Sequence, residues 1–114
     1  MSHLSSHEPV LVISFHNERN SFLIEDANDA ALQLLGYDRE TLRKVQPASL
    51  FTDEKDWKKI YTLFHDYGNL FLDKVSMKAN EAPLRLDLTA ESFRFGAYGM
   101  LTLRMNKPVF TRKI

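Results

Sequence analysis

At 114 residues the chain has the length of one domain, and with 44% hydrophobic and 11% aromatic residues it can bury a core. Lys plus Arg and Asp plus Glu total 15 each, so net charge supplies no attraction to nucleic acid or to an anionic membrane. Cysteine is absent, which excludes disulfides, thiolate metal sites, Cys nucleophiles and Cys-linked chromophores.

Residues 1–7, MSHLSSH, read as a flexible leader or cloning remnant, and residues 8–106 as the domain proper. Residues 10–16 predict a strand; their apolar run is too short to span a bilayer and has no basic leader. The polar NERN at 17–20 is turn-like, so a second strand over 21–25 closes a hairpin. Asn28 can cap a short helix over 28–35, and Gly36 can end it in the left-handed conformation. Asp38 can cap another turn or two before Gln46-Pro47 breaks it. The longest helix is expected from Thr52 or Asp53 to about Tyr67, with Trp57, Ile60, Phe64 and Tyr67 on one face. Beyond Gly68 the period changes to two. Phe71, Val75 and Met77 alternate in a strand, as do Leu84, Leu86 and Leu88 in the next. The last strand has Leu101, Leu103 and Met105 on one side and Tyr98, Met100 and Thr102 on the other. Residues 107–114 read as an exit segment toward a neighbouring domain.

This order predicts an α+β domain: a five-stranded antiparallel sheet with short helices and one longer helix packed on one face. The stretch Ile24-Glu25-Asp26-Ala27-Asn28, then Ala30-Ala31 and Leu35-Gly36-Tyr37, resembles the opening of a PAS sensor domain. DRETL at 38–42 and LFTDEKDW at 50–57 resemble the segments that follow in that family. Two places depart from it. Asn80-Glu81 stands where an Asp-Gly or Asn-Gly turn is usual, and Arg104-Met105-Asn106 stands where the family often ends in Asp-Ile-Thr, a motif linked to signal output. The resemblance implies a module that senses small molecules, light, redox state or oxygen, or that mediates dimerisation. It also implies a larger protein with a histidine kinase, diguanylate cyclase, phosphodiesterase or DNA-binding output.

The residues narrow the cofactors. Without cysteine, the flavin adduct of light-oxygen-voltage photosensors and a Cys-bound coumaric acid are both excluded. No residue argues for non-covalent flavin. Haem is not expected, because His65 falls near the end of the long helix while the family's haem ligands align nearer Trp57. His3, His7 and His16 show no ligand spacing, so no metal is expected. Asp53, Glu54 and Asp56 suit a helix start, Ser49 has no cue for an activating base, and no Gly-rich phosphate loop occurs, so no catalytic residues are expected.

Two surfaces remain as candidates. A pocket between helices and sheet is expected to be lined by Ile24, Leu35, Phe51, Trp57, Ile60, Phe64, Val75, Leu86 and Met100. Asp73 and Thr102 are its polar members, so any ligand would be small and largely apolar. The same residues read more simply as core, and a bulge could turn Asp73 outward. The second surface is the outer sheet face. Val10, Val12, Leu70, Leu72, Leu101, Leu103 and Met105 are assigned to it, as a homodimer interface. The expectation is a non-catalytic, cytoplasmic sensory or interaction module of a bacterial-type signalling protein, without nucleic-acid or membrane contact. A purely structural dimerisation domain with a filled core is one alternative. A small isomerase-type pocket enzyme built around Asp73 is the other.

Overall fold

The computed structural model describes residues 8–16, 21–66, 68–96 and 98–107. The expected leader, the NERN turn, Tyr67 and residues 108–114 of the exit segment lie outside the described residues. Five strands form one antiparallel sheet: β1 (Val10–His16), β2 (Ser21–Ala27), β3 (Asn69–Lys78), β4 (Pro83–Phe95) and β5 (Tyr98–Asn106), in the spatial order β2-β1-β5-β4-β3. Helices α1 (Asp29–Leu35), α2 (Arg39–Arg43) and α3 (Glu54–Tyr61), with 3-10 turns at Pro47–Leu50 and Thr62–Phe64, connect β2 to β3 and supply buried side chains to one face of the sheet.

The helix boundaries follow from side-chain capping. Asn28 accepts from the Ala31 N–H at 3.0 Å, and Gly36, at φ 78°, ends α1 in the left-handed region. Asp38 accepts from the Thr41 N–H at 2.8 Å and starts α2. The Thr41 backbone N–H, reinforced by the Thr41 side chain, holds the Asp38 carboxyl below its usual value. Arg39 donates to the Asp26 carboxylate and to the Ala27 carbonyl, which fastens α2 to the end of β2. The α-helical part of α3 stops at Tyr61, short of the expected end near Tyr67. The Ser92 hydroxyl on β4 donates to the Leu63 carbonyl at 2.7 Å, diverting an acceptor that a longer helix would use.

The inner sheet face carries Leu11 and Ile13 of β1, Ile24 of β2, Val75 and Met77 of β3, Leu86, Leu88 and Ala90 of β4, and Leu101, Leu103 and Met105 of β5, all buried. The helical layer covers them with residues such as Ala31, Leu35, Leu42, Trp57, Ile60 and Phe64.

Two strands correct the expected faces. In β5, Leu101, Leu103 and Met105 are all 0% exposed, so they belong to the core of a single chain and not to its outer face. Cross-strand register enforces this: Leu103 lies between Leu11 and Ala90, and Met105 lies beside Leu88. Met100 and Thr102, expected in the pocket, are half-buried on the opposite face. Side chains alternate strictly in a strand, and facing the leucines inward buries the larger apolar area. In β3, Leu72 pairs with Leu88 but Val75 pairs with Leu86, so β3 carries one extra residue. Lys74 takes a φ of 53° at this bulge, and its N–H donates to the Asp87 carboxylate at 2.9 Å. The slip puts Leu70 and Leu72 on the same side as Val75 and Met77, packed against the core. Phe71, expected inside with Val75, is 61% exposed.

Candidate functional site

Of the pocket candidates, Ile24, Leu35, Phe51, Trp57, Ile60, Phe64, Val75 and Leu86 come together in the buried cluster between helices and sheet, none more than 9% exposed. The edge toward β2 is aromatic. Phe22 lies at its centre, with ring centroids 4.6 Å from Phe15, 5.1 Å from Trp57, 5.4 Å from Tyr61 and 5.3 Å from Phe64. Three of these four contacts are edge-to-face, the arrangement ring quadrupoles favour. Phe15 and Phe22 were not among the candidates. Their parity with Ile13 and Ile24 is the signal that places them inward. A solvent-open cleft of about 680 Å³ reaches Phe51 and Trp57 and is otherwise lined by Gln46, Ala48, Ser49, Thr52 and Glu54.

The three remaining candidates are elsewhere. Asp73 is exposed at the β3 bulge, and Met100 and Thr102 are on the outer face. Ser14 and Ser92 are the buried polar residues among those described, and both are satisfied. Ser14 donates to Glu25 at 2.7 Å; Ser92 donates to Leu63 and accepts from the Gly68 N–H. His65 is exposed, with its ring edge-on to Tyr61. His3 and His7 lie outside the described residues.

The outer sheet face is uneven. Its register rows run Leu23–Ser14–Met100–Phe93 and, next to it, His16–Tyr98. Leu23 is 42% exposed, Phe93 48% and Tyr98 43%, and Met100 is half-buried between them. The His16 and Tyr98 rings meet edge-on at 4.3 Å. The following rows become polar: Asp26–Val12–Thr102–Glu91–Asn69, then Val10–Arg104–Thr89–Phe71. Val10 and Val12 are half-buried there. The exposed apolar patch is therefore concentrated at the end of the sheet where β1 turns to β2 and β4 turns to β5. Leu23 and Phe93 were missed as candidates. Once Ile24 and Ala90 face inward, parity sends Leu23 and Phe93 outward.

Scanned against family models, the sequence matches none, and no curated protein matches it. Solved structures do match. A fungal LOV domain photoreceptor is similar at a TM-score of 0.71 with 10% identity, over 95% of this chain and 78% of that one. The PAS domain of nitrogen regulation protein NR(II) from Vibrio parahaemolyticus is similar at 0.63 with 16% identity, over 87% of this chain and 89% of that one. A PAS domain from a two-component sensor histidine kinase is similar at 0.62 with 13% identity, over 89% and 85%. The chain has the PAS fold. Within this PAS fold the helical layer and inner sheet face enclose the apolar cluster. At 10% identity the likeness to the photoreceptor is one of fold, and this chain has no cysteine. Among the described residues, no helix is long and apolar enough to cross a membrane.

Proposed function

We propose that this PAS domain is a non-catalytic sensory and interaction module of a larger cytoplasmic signalling protein, and that it pairs with a second copy through the outer sheet face. The observation that carries this reading is the cluster of Leu23, Phe93 and Tyr98, each more than two-fifths exposed, around half-buried Met100. Large apolar side chains gathered on one sheet face are costly to leave in water, and a symmetric copy covers them without any new sequence. The patch replaces Leu70, Leu72, Leu101, Leu103 and Met105 in the expected interface. The solved PAS domains from a nitrogen regulation protein and from a two-component sensor histidine kinase favour a signalling setting with a downstream output domain.

Sensing in this reading rests on the apolar cluster and on the cleft that reaches Phe51 and Trp57. With Asp73 and Thr102 outside the cluster, a ligand there has few polar partners, so a small, mostly apolar, non-covalent molecule suits it best. The second reading is a dimerisation domain with a filled core, favoured by the close burial of the eight core candidates. Exposed Asp73 counts against the isomerase-type reading, which needs a buried acid. Native mass spectrometry of protein purified without denaturation tests the proposal. A dimer carrying a bound small molecule supports the sensory form, an empty dimer supports the dimerisation form, and a monomer alone sinks both.

A further inference from the structure

Helix α1 has only seven residues, yet both of its ends are bonded to other parts of the fold. At its start, the Asn28 side chain ties the helix to Glu8 and to Val10 at the start of β1. It accepts from the Ala31 N–H and from the Val10 N–H, both at 3.0 Å, and it donates to the Glu8 carbonyl at 2.7 Å. The Asn28 backbone N–H also donates to the Val10 carbonyl at 3.1 Å. Residues 8–10 are in turn tied to the end of β5. The Met105 N–H donates to the Pro9 carbonyl at 2.9 Å, and the Asn106 side-chain amide donates to the Glu8 carboxylate at 3.3 Å. The start of α1 thus holds the corner where the chain comes into the sheet and where it leaves.

At the other end, the Leu35 carbonyl accepts from the Asn80 N–H at 2.8 Å. Asn80 is in the turn between β3 and β4, so that hairpin supplies a donor that the end of a short helix otherwise seeks from water. The approach is close: a Cβ added at Gly36 would lie 3.2 Å from the Asn80 Cβ. Beside this contact a cleft of about 260 Å³ separates Gln33 and Leu34 of α1 from Ala79, Ala82 and Leu84 of the hairpin. The hairpin therefore has room to move against the helix at one side while remaining bonded to its end.

We infer that α1 is a coupling strut, which carries a displacement of the β3–β4 hairpin to the corner formed by Glu8, Val10 and Met105. A rigid element bonded at both ends transmits a shift, and seven residues span about 10 Å at 1.5 Å per residue. Asn28 is the positioning residue at the receiving end and acts through the backbone of residues 8–10. The coupling depends on these bonds and not on the identity of any ligand.

Amide hydrogen exchange by NMR on the full 114-residue chain tests it. Gly36→Ala drives a Cβ against Asn80 at the sending end. It is expected to speed exchange at Val10 and Met105 about fivefold, the worth of one hydrogen bond, while Leu88 and Leu101 in the sheet centre keep their rates. In an Asn28→Asp background the helix cap is kept and the donor to Glu8 is lost. There, Gly36→Ala should speed Met105, which is tied to residues 8 and 9, less than it does in the wild type, while Val10, still bonded twice to residue 28, keeps part of its response. Should Gly36→Ala fail to fold by circular dichroism, Ala82→Leu loads the same cleft from the hairpin side and is read in the same way. Changes confined to residues 33–37 and 79–82, or equal transmission with and without the Asn28 donor, would overturn the inference.

Discussion

Leu103 and Met100 sit three residues apart on β5, and the face assignment makes opposite demands on them. Leu103 is 0% exposed, on a strand with neighbours on both sides, and is flanked across the sheet by Leu11 and Ala90. Replacing a buried Leu by Ala costs about 2–5 kcal/mol, the larger values where surroundings cannot collapse. A central strand paired on both sides cannot shift inward, so Leu103→Ala belongs in the upper half of that range, at about 3–5 kcal/mol. At roughly 4 °C or more per kcal/mol for a small domain, the melting temperature falls by at least about 12 °C. Met100 is half-buried on the outer face, so Met100→Ala should cost about 1 kcal/mol or less. Urea unfolding followed by circular dichroism at low protein concentration measures both. Low concentration matters because a dimer would protect Met100 and blur the contrast. Equal costs, or a larger loss for Met100→Ala, would refute the assignment of Leu101, Leu103 and Met105 to the core.

Two further outcomes follow from single hydrogen-bonded groups. Ser92→Ala leaves the Leu63 carbonyl and Gly68 N–H short of a buried partner, so it should lower unfolding stability by about 1–3 kcal/mol in urea titrations, with the Thr62–Phe64 turn losing amide protection first. Asp38 has a folded carboxyl held below the usual value of 3.8 by the Thr41 N–H, so the part of the cap that depends on its charge is fully stabilising above that pH and is lost as pH falls through the lowered value. The melting-temperature advantage of the wild type over Asp38→Ala should therefore be constant near neutral pH and shrink in acid to what a neutral carboxyl still supplies as an acceptor; an advantage that grows as pH falls would contradict this sign.

Much of the fold is legible where one signal dominates. The limits of β1, the Asn28 cap and the Gly36 stop are all visible as residue types, because capping needs a short polar side chain and a positive φ favours glycine. The faces of β3 and β5 are not legible in the same way. Both sides of β5 are apolar, so alternation separates two sets without saying which is buried; only register against Leu11, Leu88 and Ala90 decides. The β3 bulge turns on Lys74 at φ 53°, a conformation that lysine composition does not announce, and a one-residue slip inverts every assignment on one side of it. Of the residues expected at the interface, Leu101, Leu103 and Met105 face inward, and Leu70 and Leu72 pack against the core. Leu23 and Phe93 emerge only after parity is anchored. The pocket candidates on helices fared better in position, since Trp57 and Ile60 share a helical face regardless of sheet register.

In the proposed pairing, the outer patch of Leu23, Phe93 and Tyr98 joins two copies of this PAS-fold chain. Sedimentation equilibrium of the wild type beside the Leu23→Ser/Phe93→Ser double variant tests it most directly. Both residues are more than two-fifths exposed, so the double variant should keep its fold by circular dichroism. The wild type should form a dimer at rising concentration, and the variant should be a folded monomer. A wild type that stays monomeric at the highest concentration, or a variant that dimerises as the wild type does, would contradict it.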